Sequence, residues 1–248
     1  MDRFFAVLSY EWRRVSRAPG FLAVGGIFLL LSTLVFWSVF PSYGAGPRSV
    51  RPAVLWLERS WPMVLVLIPA LTADTIAGER SAGTFEGLFR DGAAAVEIVL
   101  GKFCTLYIYS LFLWSFALIL QPLALRAASL SLPFPLATGS EFLKIFRTIA
   151  LGSAFYLSCG LFLSTIARSS TAAGAATFAL LTIFLFGPRI VSKLLSADRW
   201  PILWDLLARL AIGPAGRPES VCGGAIAGLV GTATATALVL SAIFLRRR

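Results

Sequence analysis

Long apolar runs separated by short polar breaks recur along the whole chain, and their lengths rather than a strand-like alternation carry the signal. A bilayer core of ~30 Å needs about twenty residues of helix rising ~1.5 Å each. On that basis six spans are read, at 21–40, 53–76, 96–120, 142–166, 172–186 and 221–245. The first is broken by Pro41 and a polar segment at 44–52. The second carries Pro62 and Pro69, which neighbouring helices accommodate in a membrane bundle, and has Glu58 and Asp74 near its opposite ends. Gln121-Pro122 is expected to end the third, a polar hinge at 167–171 separates the fourth from the fifth, and Arg246, Arg247 and Arg248 stop the sixth.

Two further stretches read as helices lying in the membrane interface. In residues 1–18, Phe5, Leu8, Trp12 and Val15 share one stripe while Arg13, Arg14 and Arg17 project elsewhere. A signal peptide fits less well, since the apolar run that follows is longer than ~7–15 residues and no small-residue cleavage site follows it. In the connection 188–218, Trp200, Leu203, Trp204, Leu207 and Ala211 share a stripe, with Pro201 suited to a first turn. This predicts an interfacial helix on the outer surface, with a re-entrant segment from Gly187-Pro188 as the alternative. In the sixth span Gly224, Gly228, Thr232 and Thr236 recur every four residues, a spacing that lets helices approach closely. The expected architecture is all-α: one polytopic transmembrane domain over 1–248.

Composition narrows the chemistry. The 248 residues are 58% hydrophobic and 14% charged, against about 25% charged in a soluble domain. With no histidine, a Ser-His-Asp triad, a Cys-His pair, a haem histidine and a His-bearing zinc site are excluded. Cys104, Cys159 and Cys222 lie far apart in or beside apolar stretches, as small buried hydrophobes do. No catalytic residue, cofactor or metal site is expected. The net charge of +10 points to anionic lipid head groups rather than nucleic acid. An even number of spans, a basic start and the closing arginines put both termini in the cytoplasm, although Lys and Arg divide about equally between the two sides.

Charge concentrates between the second and third spans, from Asp74 to Gly92. Within it Phe85, Leu88 and Phe89 are able to pack while Glu79, Arg80, Glu86 and Arg90 face out, and Glu86 and Arg90 are spaced to support a helix. A short amphipathic helix presenting a mixed-charge knob at 77–92 and a solvated loop fit the composition equally.

The run Pro69 to Lys102, with Pro-Ala-Leu-Thr, Ala-Gly-Glu-Arg, Gly-Thr-Phe-Glu-Gly-Leu and Glu-Ile-Val-Leu-Gly-Lys, resembles the permease subunit of type 2 ATP-binding-cassette (ABC) exporters. It looks closest to the gliding-motility and nitrous-oxide-maturation branch. Glu79, Arg80, Gly83, Thr84, Glu86 and Leu88 match the family's motif, and Asp91-Gly92 supplies the turn where a proline is usual.

The resemblance implies that 77–92 is a coupling helix docked on a separate ATPase subunit of the inner membrane complex. Glu79, Arg80, Thr84 and Glu86 would make its polar contacts, Gly83 would lie within the motif, and Phe85 and Leu88 would hold it against the bundle. It also implies ATP and Mg on that partner, a second permease copy or related permease, and export driven by closure of two ATPase subunits. The residues agree on one point: Gly92 to Gly101-Lys102 has the wrong spacing for a phosphate-binding loop and ends in Phe103. Two other functions remain open. In an ion-coupled secondary transporter, Asp74 would be the main membrane-embedded acid, though no inverted repeat supports it. The other is a non-transporting assembly or scaffold protein.

Overall fold

A computed structural model describes residues 2–39, 56–57, 59–83, 94–127, 139–194 and 223–246. All the regular elements among the described residues are helical. Helix α1 is Asp2–Arg17 and α2 is Pro19–Val39. The second span is a composite: a 3-10 turn Trp61–Met63, helix α3 Val64–Thr72, a π turn Asp74–Gly78 and one helical turn Glu79–Ser81. Then come α4 Ala95–Ala127, α5 Gly139–Ile166, α6 Ser170–Leu194 and α7 Gly223–Arg246. Pro19–Ser38, Trp61–Ser81, Ala95–Leu120 and Ile145–Ile166 are long and apolar enough to cross a bilayer, and Ser170–Phe186 and Val230–Arg246 are shorter apolar helices. The chain is a polytopic helical membrane protein.

Local chemistry places the helix starts. Pro19 opens α2, where a missing amide N–H costs nothing. The Glu97 carboxylate accepts from the Ala94 amide at 2.9 Å, satisfying one donor at the head of α4. Ser169 accepts from the Ala172 amide at 3.2 Å and so caps α6.

The structure moves several expected boundaries. Neither Gln121-Pro122 nor Gly187-Pro188 ends a helix: α4 continues to Ala127 and α6 to Leu194, as proline in a membrane helix allows when neighbours satisfy the freed carbonyl. The second span runs past the expected end at 76 to Ser81, because Thr75, Ile76, Ala77 and Glu79 are all buried in the bundle rather than entering a loop. In α1 the packed stripe is Val7, Glu11 and Val15, whereas Phe5 and Trp12 are exposed. At about 100° per residue the packed face is turned by roughly 80° from the apolar stripe, since in a membrane protein the apolar face is free to meet lipid. Thr232 and Thr236 of the four-residue repeat also face outward. The interfacial helix around Trp200 and Trp204 lies outside the described residues.

Consecutive spans alternate in direction, so that spans two apart in the chain run parallel where they pack. The Tyr109 hydroxyl of α4 donates to the Phe21 carbonyl at 2.6 Å, Arg80 reaches the end of α5, and Phe162 of α5 meets Phe244 of α7 edge-on. The α1 helix, the end of the second span, the start of α4 and the ends of α5 and α7 are thereby gathered at one end of the bundle. Toward the other end, the fully buried Trp114 is ringed by Phe28, Trp56 and Trp61, with centroids 4.9, 5.9 and 6.0 Å away. Glycines permit close helix approaches near the shared end. A Cβ on Gly101 would lie 2.7 Å from Val7 Cγ1, and one on Gly160 would lie 2.5 Å from Thr72 Oγ1.

Candidate functional site

Four charged side chains converge where α1 crosses the start of α4. Lys102 lies well inside the Ala95–Leu120 span and is fully buried. A lone ammonium at such a depth must find anionic partners or lose its charge. It finds two: its Nζ donates to Glu11 Oε1 of α1 at 2.6 Å and to Glu79 Oε1, at the end of the second span, at 2.7 Å. Glu11 is 2% exposed and Glu79 8%. Arg14, one turn on from Glu11, approaches Glu11 Oε2 at 3.4 Å and also pairs with Glu79. Two cations and two anions close a ring of zero net charge that joins three elements. A small cavity beside it is lined by Thr75, Thr105, Phe21 and Leu106.

The opposite side of the same span end is tied to α5. The Ser164 hydroxyl accepts from the backbone amides of Ile76 at 3.3 Å and Ala77 at 3.1 Å, and lies 3.4 Å from the Ala73 carbonyl as a donor. A π turn disturbs the regular amide-to-carbonyl ladder, and this buried hydroxyl serves two of its amides. Arg80 donates to the carbonyls of Thr165 at 3.1 Å and Ala167 at 3.3 Å, at the C-terminal end of α5 where a cation complements the helix dipole. Beyond Ser81 the chain turns at Gly83, whose φ of +70° lies in the left-handed region that glycine adopts freely.

The residues read from the sequence as a docking set therefore separate. Glu79 does not face out as expected: Lys102 and Arg14 draw its carboxylate inward. Arg80 is half-buried and spent on α5, while Gly83 is exposed in the turn. Thr84, Phe85, Glu86 and Leu88, with Asp91-Gly92, lie outside the described residues. Asp74 is exposed, its carboxylate lying along Gly78 within the π turn. Cys104 and Cys159 are free thiols, half-buried and unlinked. Sequence reasoning missed Glu11, Lys102 and Ser164. A signal existed for two of them: Glu11 interrupts the Val7–Val15 stripe, and Lys102 is a single cation among Ile98, Val99, Phe103 and Leu106.

A family model described as "ABC-2 family transporter protein" matches residues 60–203, more than half of the chain. The chain belongs to the ABC-2 family. It is accordingly an ABC transporter permease, and the match runs from the start of the second span through the charged segment and on past α6. Permeases of this family form the membrane channel, are typically non-catalytic, and in general work with an ABC ATPase. No curated protein matches the chain.

Proposed function

We propose that this ABC-2 permease forms one half of a translocation pathway, works as an exporter, and is driven through the segment after Gly83 by a separate ATPase chain that binds ATP and Mg. Two permease copies, or this chain and a related permease, would stand on two ATPase copies in the inner membrane. The whole of 1–248 would act as one transmembrane domain with both ends in the cytoplasm. The observation that carries this reading is the anchoring of the segment's root: Glu79 and Arg80 are braced to α1, α4 and α5 by charged hydrogen bonds. A force applied just beyond Gly83 would be delivered to four helices at once, the rigid-body transmission that alternating access needs. The gathering of α1 and the end of α7 at that same end of the bundle supports an even number of spans. The motif from Glu79 to Leu88 supports the gliding-motility and nitrous-oxide-maturation branch.

In this reading Thr84 and Glu86 meet the partner, Phe85 and Leu88 hold the segment against the bundle, and Glu79 and Arg80 hold the root. Glu86→Lys separates the two roles. The variant should insert and melt like the parent, yet lose most of its capture of a purified ATPase subunit in mild detergent. Capture equal to the parent's would remove the docking assignment.

A further inference from the structure

We propose that Lys102 is a positioning residue that fastens α1 to the root of the docking segment, so that α1, the end of the second span and the first turns of α4 travel as one body. This rests on the docking reading above and adds to it an element, α1, that the segment itself does not contain.

The geometry is specific. One ammonium bonds carboxylates from two different elements, Glu11 and Glu79. Arg14 reaches from α1 to the same two carboxylates. Withdrawing α1 would remove Glu11 and Arg14 together, leaving Lys102 and Glu79 with one contact between them in place of the closed ring. Buried charges tolerate separation from their partners far less than exposed ones do. The seat beside them is also closed, since the Gly101 backbone comes so near Val7 that even a methyl group would not fit. Phe5, Tyr10 and Trp12 on the outward side of α1 remain exposed, so the hold on α1 comes from the charged face.

The test uses the purified permease alone, in lipid nanodiscs, with the three native cysteines replaced by alanine. Spin labels are placed at the exposed Ser16 of α1 and Ser81 at the root of the docking segment. The parent should show one narrow distance. Lys102→Met should broaden it about twofold, because the apolar side chain no longer selects one arrangement. A second variant, Glu11→Gln/Lys102→Met/Glu79→Gln, removes the three buried charges and leaves only the Arg14 guanidinium, which is 30% exposed and keeps the two amide carbonyls as acceptors, so it should fold, yet it should show the same broadening. A narrow distance in that triple variant, or two resolved distances in the parent, would overturn the proposal. Adding an ATPase subunit and cycling it between ADP and ATP should leave the parent's distance unchanged, and a second peak on ATP binding would overturn the one-body motion. If no ATPase binds at all, the docking reading fails while the permease-only distances still decide the role of Lys102.

Discussion

Replacing Lys102 by methionine keeps most of the side-chain volume and removes the charge. The ammonium is fully buried and holds Glu11 at 2.6 Å and Glu79 at 2.7 Å, so its loss leaves two buried carboxylates sharing Arg14. Taking one partner out of a buried ion pair costs about 3–5 kcal/mol. Arg14 offsets part of that, but its side chain is 30% exposed and its attraction is correspondingly screened. The lower end, about 3 kcal/mol, is therefore expected. At ~2–4 °C per kcal/mol for a chain of this size, the unfolding midpoint should fall by roughly 6–12 °C. A surface ion pair would lose about 0–1 kcal/mol, so the two cases are well separated. The free thiols Cys104 and Cys159 allow the assay to be run with a thiol-reactive dye during heating in detergent. The triple variant with Glu11→Gln and Glu79→Gln should regain most of the loss, because the one charge that remains, Arg14, is 30% exposed and reaches water. A Lys102→Met midpoint within about 2 °C of the parent, or a triple variant no better than the single, would refute the reasoning.

Two further outcomes follow from contacts on the α5 side. Ser164→Ala deprives the amides of Ile76 and Ala77 of a buried acceptor, which should cost about 1–3 kcal/mol and speed hydrogen exchange at those two amides; unchanged protection would show that the hydroxyl does not support the π turn. Gly160→Ala brings a methyl group to 2.5 Å from Thr72 Oγ1 and should cost about 1–3 kcal/mol by overpacking, with Thr72→Ala recovering most of it; strict additivity in the double-mutant cycle would refute a direct clash.

Much of the fold was legible because hydropathy is a property of short segments. The helices α2, α5 and α7 fall within a few residues of the apolar runs that predict them, α4 starts where its run does, and a serine cap and a favourably placed proline explain the starts of α6 and α2. Of the displaced ends, the one expected at Gln121-Pro122 follows the rule for helices in water, where a freed carbonyl goes to solvent and the helix stops; inside a membrane bundle α4 continues past Pro122, as α6 does past Pro188. The outward stripe of α1 misled for a related reason, since Phe5 and Trp12 are apolar for lipid while Val7, Glu11 and Val15 make the protein contact.

The candidate site was legible only in part. The motif around Glu79 marked the right stretch of chain, but a carboxylate in a charged segment looks solvated until its partners are known, and these lie far away in sequence, at Glu11, Arg14 and Lys102. By itself, the sequence determined the membrane class, the helical content and the family, because each follows from transfer free energies and motif residues counted along the chain. Only the tertiary structure decided which charges are buried and against whom, because the cost of burying a charge depends on the ion placed beside it, and packing chooses that ion.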